Sequence, residues 1–380
     1  MAPLRPASAL TVAVVAPAVS VMLVAASSVF LWRRRKIWTS KEEKAKRNEL
    51  LQKARDSLCP PDSNPQMVAL DDGSGTARLL TTYYRAKQSE GATAVLIHGF
   101  GCTALEFDLL HQRLREETKL NVFAYERILF AETEDGHLPH PRDAIQLARE
   151  LHHLLQRRNV PPPYLLIGHS YGGIIAQQYC SDFAEKGDVC GVVLVDPAHE
   201  FQNERFPTDF AAGFKYVVPF LLHLYSKVAW TGVLQLMDWI DAFNFPPIFL
   251  FGKDRHSHRT ACAQLYSNGA VWQRVQDELA GCFETFQRLQ SQTPSFRKYS
   301  WDCLPVALIV AGNRQFAPTL FPKATTQAFI DMHQPYLDEN PESSKLFIAG
   351  KSDHWIHMQE PEVILDAVRI INQRRGRNKR

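Results

Sequence analysis

A turn between an apolar strand and a helix constrains the fold of this chain more than any other stretch of its sequence. Tyr164 to Ile167 is an apolar run that follows three prolines, which predicts a buried strand. The residues GHSYG come next at 168–172, and a helical pattern continues from Gly173. A G-x-S-x-G turn holds its serine in a strained backbone, and its glycines let strand and helix pass closely. The spacing therefore predicts that Ser170 is a nucleophile exposed at the end of a sheet.

Composition narrows the class of protein and argues against several partners. The 380 residues are 45% hydrophobic and 22% charged, which is typical of one large globular domain with attachments. The net charge is +3 and the sequence carries no basic-aromatic stripe, so we expect no nucleic-acid partner. Seven scattered cysteines include no C-x-x-C pair, which indicates free thiols in a reducing compartment. We expect no metal and no cofactor.

The first 36 residues predict a membrane anchor. Ala9 to Trp32 carries no charge over about 24 residues, which is long enough to span a bilayer. The basic run Arg33 to Lys36 follows directly, so the positive-inside rule puts the rest of the chain on the cytosolic side. The alternative is a cleaved signal peptide with VAA at 24–26 as its cleavage site. An endoplasmic reticulum anchor and a mitochondrial outer-membrane anchor are not distinguished by this pattern.

The rest of the chain divides into a linker, a large domain and a tail. Residues 37–62 form a charged juxtamembrane segment, in which SKEE at 40–43 is a capping box that opens a helix. Residues 63–372 contain the strands and helices of the large domain. An insertion at about 197–301 is too long to be a plain crossover between strands. Residues 373–380 form a basic tail.

An oxyanion hole is predicted where the strand Ala92–Ile97 ends in the residues HGFG at 98–101. The backbone N–H of Phe100 would face a developing oxyanion there, beside the N–H of Tyr171. The alternative is an ordinary glycine-rich turn. The presence of Ser170 in the same chain favours the oxyanion hole.

Five segments occur in an order that identifies a family. They are HGFG at 98–101, PPPYLLIGHSYGG at 161–173, VVLVDPAHE at 192–200, LPVALIVAG at 304–312 and SDHWIHMQEPE at 352–362. This set resembles the α/β-hydrolase superfamily, in particular its esterase and lipase branch. The resemblance implies an α/β fold with a mostly parallel central sheet, helices on both faces and an inserted helical lid. It is much less specific for the substrate.

The resemblance also implies a catalytic histidine in the loop after the last core strand, here Lys345–Ala349. His354 stands in that loop, and His357 is the local alternative. A neutral imidazole at this position takes the serine proton and later returns it to the leaving group. We therefore predict that His354 is the general base, with His357 in a packing or hydrogen-bonding role.

The triad acid is where the sequence departs from the family pattern. Most relatives carry it as the D of G-x-x-D after the strand Val306–Val310, but Gln315 stands in that place here. A glutamine could orient the imidazole but would not stabilise an imidazolium electrostatically. Asp196 lies at the end of the preceding core strand, from which some members of the family take their acid. We predict Asp196 as the acid of a triad with Ser170 and His354; the alternative is a structural carboxylate at the entrance to the lid.

A second departure follows the strand Val122–Tyr125. Relatives often show D-R-x-G-x-G-x-S there, and this chain has ERILFAET at 126–133, so we expect a loop of different shape and an unusual substrate preference. In the insertion, Phe210–Met237 and Val271–Gln290 have helical patterns, and 253–259 is predicted as a solvated charged loop. The apolar stripe of the first helix either lines an acyl pocket or is the core of the lid.

These observations predict a membrane-anchored serine hydrolase that cleaves an ester or thioester of a hydrophobic, lipid-like substrate through an acyl-enzyme. Two alternatives stay open. The chain could be a membrane-tethered scaffold that kept the fold without turnover, or a lipid acyltransferase in which an alcohol replaces water. Epoxide hydrolases and haloalkane dehalogenases share the fold and use an aspartate nucleophile, and Ser170 argues against both.

Overall fold

The computed structural model describes residues 49, 64–70, 78–89, 91–127, 142–183, 187–206, 213–231, 256–266, 269–291, 304–314, 324–338 and 341–377. The predicted anchor at 1–36 lies outside these ranges, as do nearly all of the juxtamembrane segment and the end of the basic tail. No helix within these ranges is long and apolar enough to cross a bilayer.

The described residues form one sheet of eight strands, whose bounds are β1 Gln66–Ala69, β2 Arg78–Tyr84, β3 Thr93–Ile97, β4 Asn121–Tyr125, β5 Tyr164–His169, β6 Val189–Val195, β7 Val306–Ala311 and β8 Lys345–Ala349. The strands lie side by side in the order β1-β2-β4-β3-β5-β6-β7-β8. Pairs that include β1 or β2 are antiparallel, and the other pairs are parallel. The carboxyl ends of β3 and β5 to β8 therefore meet at one edge of the sheet.

The described helices are α1 Asp108–Glu117, α2 Ala144–Arg157, α3 Tyr171–Phe183, α4 Gln202–Arg205, α5 Val218–Thr231, α6 His256–Tyr266, α7 Gly269–Ser291, α8 Ala324–Asp338, α9 Ile356–Gln359 and α10 Pro361–Arg377. A 3₁₀ turn at Ala104–Phe107 leads into α1, and a π-helical turn at Gly213–Val217 leads into α5. Helices α4 to α7 lie in the segment between β6 and β7, so the described part of the predicted insertion is largely helical.

The sheet is buried on both faces, as expected for parallel strands covered by helices. Along β3, Val95 and Ile97 pack into one apolar core, whereas Ala94 and Leu96 pack into the other. Helices α2 and α3 contribute to the first core, and α1 and α10 contribute to the second. The predicted mostly parallel sheet with helices on both faces is confirmed.

The lid departs from the sequence prediction in two places. Residues 256–259 belong to α6 rather than to a solvated loop, and His258 is buried with its Nε2 3.3 Å from Asp108 Oδ2. The apolar stripe of the first lid helix is divided between two environments. Phe214 packs on Phe283 with ring centroids 5.6 Å apart, whereas Val217 is exposed.

Helix α7 is fixed on the core domain near the start of α2. A Cβ on Gly281 would lie 2.4 Å from the carbonyl oxygen of Arg142, so only glycine allows this close approach. Two turns further along α7, Arg288 Nη1 lies 2.7 Å from Asp143 Oδ2. The lid therefore includes one helix that is tightly docked against the sheet domain.

The closest backbone approach in the sheet domain is at Gly172. A Cβ there would lie 2.1 Å from the carbonyl oxygen of Ile97, and that atom cannot move without displacing β3.

We expect Gly172→Ala to lower the free energy of unfolding by about 3 kcal/mol or more, measured by urea denaturation. Gly350→Ala is the matched control, because a Cβ there meets no heavy atom within 4 Å. Equal stability of the two variants would contradict this packing.

Candidate active site

Ser170 occupies the turn between β5 and α3. Its φ is +52°, a left-handed conformation that a residue with a side chain adopts only when the surrounding structure enforces it. The Ser170 N–H donates to the carbonyl oxygen of Val195 at 3.0 Å, and its own carbonyl oxygen accepts from the N–H groups of Gly173 and Ala198. The side chain is half-buried, so the turn presents the serine hydroxyl at the end of the sheet as predicted.

Positive φ angles also mark the second predicted site residue. Asp196, directly after β6, has φ +40°. The other non-glycine residues with positive φ in the described part of the chain are Asn64 and Asn159, and asparagine tolerates this region well. Aspartate shares this tolerance, so the argument from backbone strain applies to Ser170, the predicted nucleophile.

The structure brings His354 and Asp196 together. His354 Nδ1 lies 2.7 Å from Asp196 Oδ2, although the two residues are 158 positions apart in the sequence. Asp196 is fully buried and His354 is nearly so. An Nδ1–H donated to a carboxylate fixes the imidazole tautomer and leaves Nε2 free to accept a proton.

Arg314 forms a bidentate ion pair with Asp196. Its Nη2 and Nη1 lie 2.7 and 3.1 Å from the two carboxylate oxygens, and the Ala311 N–H adds a bond of 3.1 Å to Oδ1. Burial alone would raise the pKa of Asp196, but the Arg314 charge and the His354 hydrogen bond hold it well below its ordinary value. The carboxyl is therefore ionised at neutral pH. Gln315, at the usual acid position, lies outside the described residues.

His357 is separated from this pair. Its ring is fully buried between Phe107 and His169, with centroid distances of 4.7 and 4.3 Å, and its Nε2 lies 3.5 Å from Glu106 Oε2. His169 links the nucleophile turn to the histidine loop, because its Nε2–H donates to the carbonyl oxygen of His354 at 2.9 Å. The geometry thus gives the contact with the carboxylate to His354 and a packing position to His357.

The predicted oxyanion loop, residues 98–101, lies against the nucleophile turn. A Cβ on Gly99 would lie 3.1 Å from Ser170 Cβ, so the backbone before Phe100 passes directly beside the serine. Tyr171, whose N–H is the second predicted donor, begins α3, and its hydroxyl lies 2.8 Å from Thr285 Oγ1 on lid helix α7. Both predicted donors therefore belong to segments adjoining Ser170.

Two residues at the start of the altered segment 126–133 are fully buried behind this loop. Arg127 donates to the carbonyl oxygens of His98 and Gly99, each at 2.7 Å, and its Nε donates to Glu278 Oε1 at 2.9 Å. Glu126 accepts from Thr103 Oγ1 and from the Ala104 N–H. Residues 128–133 lie outside the described part of the chain.

Sequence reasoning missed the roles of the buried residues Arg127 and Arg314. Arg314 stands directly beside Gln315, and its contact with Asp196, 118 positions away, carried no sequence signal. Arg127 is part of the segment that we identified only as a departure from the family pattern. Glu278 carried no sequence signal, because its partner lies 151 positions away.

The buried carboxyl of Glu126 leads to a prediction about how the free energy of unfolding depends on pH. Burial raises the pKa of its carboxyl to about 8, against the hydrogen bonds from Thr103 and Ala104 that lower it. The folded protein then keeps this proton up to about pH 8, whereas the unfolded chain releases it above about pH 4.5. The buried, protonated Glu126 carboxyl therefore makes its full contribution to the free energy of unfolding below about pH 4.5. Between about pH 4.5 and pH 8 this contribution decreases by about 1.4 kcal/mol per pH unit.

We expect Glu126→Gln to remove this pH dependence. The stability of the variant relative to the native chain should therefore increase by roughly 3–4 kcal/mol between pH 5 and pH 8, measured by urea denaturation at each pH. Parallel stability profiles over this range would show that Glu126 is ionised in the folded protein.

Comparison with solved structures places this arrangement in a known fold. The Cif epoxide hydrolase from Acinetobacter nosocomialis aligns over 86% of this chain and 96% of its own, with a TM-score of 0.62 and 12% identity. A candidate lipase from Acinetobacter baumannii aligns over 87% of this chain and 97% of its own, with a TM-score of 0.58 and 16% identity. At these identities the likeness is one of fold.

Curated relatives match shorter stretches. The uncharacterised protein YqjL of Bacillus subtilis is 34% identical over 112 residues, which cover 30% of this chain and 42% of YqjL. The probable transporter efuK of Hormonema carpetanum is 29% identical over 137 residues, which cover 35% of this chain and 19% of efuK. The matched region spans less than half the length of either relative.

The model of the alpha/beta hydrolase family matches residues 94–367. This region includes Ser170, Asp196, His354 and the docked lid helix, and it makes up most of the chain. The fold predicted from the sequence is confirmed, and the chain belongs to the alpha/beta hydrolase family.

Proposed function

We propose that this protein is a serine hydrolase that cleaves a carboxylic ester or thioester through an acyl-enzyme on Ser170. The proposal rests on one geometric combination: a serine held at φ +52° after β5, and a histidine whose Nδ1 lies 2.7 Å from a buried carboxylate. Family membership supports hydrolase activity in general. The ester or thioester chemistry follows from the nucleophile, because epoxide-opening relatives are expected to use aspartate at this position.

In the proposed reaction, Ser170 Oγ attacks the substrate carbonyl carbon while His354 takes the hydroxyl proton. The carbonyl oxygen becomes an oxyanion that accepts hydrogen bonds from the Phe100 and Tyr171 N–H groups. His354 then returns its proton to the departing alcohol or thiol, and the acyl group stays on Ser170. Water repeats the sequence with His354 as base, and the acid product leaves.

Asp196 stabilises the imidazolium that His354 becomes in this scheme. Its charge is available because Arg314 and Ala311 hold the carboxylate ionised in a fully buried site. The bidentate arginine also reduces the field that the carboxylate exerts on His354. We therefore assign Asp196 the orienting and stabilising role, with Arg314 as the group that keeps it charged.

We extend the proposal to a hydrophobic, lipid-like substrate and to attachment at a membrane. The uncharged segment 9–32 and the basic run after it support a single anchor with the hydrolase domain on the cytosolic side. The exposed apolar side chains of Tyr216, Phe220 and Leu224 on the lid support a substrate or surface of low polarity.

The proposal predicts covalent labelling of Ser170 by a fluorophosphonate probe. We expect the full-length protein to be labelled and Ser170→Ala to be unlabelled, because the probe phosphonylates only an activated serine. Ser181→Ala, on the helix that Ser170 precedes, is the matched control and should be labelled like the native chain. Absence of labelling in the folded native protein would favour a non-catalytic scaffold.

The same assay distinguishes the two histidines and the acid. We expect His354→Gln and Asp196→Asn to lower the labelling rate by about 10³-fold or more, because each removes base activation of the serine. His357→Gln should be labelled at close to the native rate. Loss of labelling in His357→Gln with full labelling in His354→Gln would reverse the assignment.

A further inference from the structure

The Phe100 N–H and the Gly99 carbonyl are parts of one planar peptide group. In a trans peptide the N–H and C=O point in opposite directions, so whatever holds the carbonyl oxygen also aims the N–H. Within the described residues the Phe100 N–H has no protein acceptor. The groups around the Gly99 oxygen therefore decide where this donor points.

Three donors surround the Gly99 oxygen. They are Arg127 Nη2 at 2.7 Å, His98 Nδ1 at 3.1 Å and the Cys102 N–H at 3.4 Å. His98 Nε2 accepts from the Arg127 N–H, which assigns the ring proton to Nδ1. Burial, together with the Arg127 charge, lowers the pKa of His98 well below its ordinary value, so the ring is neutral.

A charged donor on a carbonyl oxygen polarises the whole peptide and strengthens its N–H as a donor. The Arg127 guanidinium lies on the side of the peptide opposite to the N–H. Its positive charge therefore stabilises an oxyanion bound at the Phe100 N–H in two ways. It polarises the peptide that carries this N–H, and it attracts the oxyanion directly.

Glu278 on lid helix α7 fixes this arginine. Its Oε1 accepts from Arg127 Nε at 2.9 Å, and its Oε2 accepts from the Gly101 N–H at 2.8 Å. The two side chains are 0% and 3% exposed, so the pair is shielded from solvent. Burial alone would lower the pKa of Arg127, but Glu278 holds it above its ordinary value and the guanidinium stays charged.

We infer that Arg127 and Glu278 are positioning residues, through which lid helix α7 aims and polarises the Phe100 N–H toward the oxyanion. The inference rests on the proposed acyl-enzyme reaction at Ser170. The second donor is held differently, because the Ser170 carbonyl of the Tyr171 peptide accepts from the N–H groups of Gly173 and Ala198, which carry no charge. Of the two donors, the Phe100 N–H is the one whose peptide carbonyl accepts from a member of a buried ion pair.

The test uses the full-length protein with p-nitrophenyl butyrate as substrate and an aryl trifluoromethyl ketone as the probe of oxyanion binding. We expect Glu278→Gln to lower kcat by about 10- to 100-fold, less than the complete loss of an oxyanion donor. Ketone affinity should fall by a similar factor, while KM changes by less than about twofold, because the contact acts in the transition state.

Arg127→Lys and Arg127→Met separate charge from shape. The lysine keeps a positive charge near the two carbonyls, so kcat should recover in part relative to the methionine variant. The methionine variant leaves the Glu278 carboxylate buried without its partner, which can prevent folding. If Arg127→Met does not fold, the test is decided by Glu278→Gln and Arg127→Lys. Unchanged kcat and ketone affinity in both of these variants would overturn the inference.

Arg288→Gln is the control for lid docking. It removes the ion pair with Asp143 from the same helix without touching residues 98–101. Native kcat in Arg288→Gln, with a reduced kcat in Glu278→Gln, supports a specific role at the oxyanion; equal losses would assign the effect to lid docking and overturn the inference. Failure of Ser170-dependent fluorophosphonate labelling in the native protein would instead reject the underlying reaction, so the two failures are distinguishable.

Discussion

The active site depends on two backbones that approach each other more closely than side chains permit. The carbonyl oxygen of Ile97 lies where a Cβ of residue 172 would stand, and the carbonyl oxygen of Gly172 would clash with a Cβ on Gly168. This contact brings β3 against the start of α3 and thereby sets the oxyanion loop beside the serine. The left-handed backbone of Ser170 follows from the same geometry, because the chain must reverse within one residue between strand and helix.

Around this steric core, charge is buried in pairs whose members come from distant parts of the chain. Arg314 meets Asp196 on the histidine side of Ser170, and Arg127 meets Glu278 on the oxyanion side. In the first pair the partner of the arginine is the predicted triad acid itself, and in the second the arginine also donates to the carbonyl oxygens of His98 and Gly99. Removing one member of such a pair typically lowers the free energy of unfolding by about 3–5 kcal/mol, so both members of each pair must be present in the sequence for a stable fold.

The sequence predicted the parts of the fold that local pattern controls. The strands predicted at Ala92–Ile97 and Val306–Val310 lie within one residue of the observed bounds, because uninterrupted apolar runs of that length favour buried parallel strands. The position of Asp196 at the end of a strand was also predicted, and its role as the triad acid stays a prediction. The buried arginines were not predicted, since a charged residue gives no periodic signal and its partner is set by tertiary structure. His258 was misassigned for the same reason: its burial depends on Asp108 in another element.

The lid helix has a consequence for how the enzyme becomes active as it folds. Glu278 meets Gly101 across 177 positions of sequence, a longer separation than that between the paired strands β6 and β7. Closing a loop of that length is entropically costly, so contacts of this kind form only when most of the chain is in place. A nascent or partly unfolded chain can have a complete Ser170 turn and still lack the anchor of its oxyanion loop. In the proposed reaction, the oxyanion loop is therefore anchored only when lid helix α7 is docked, so reactivity requires the folded domain and not the Ser170 turn alone.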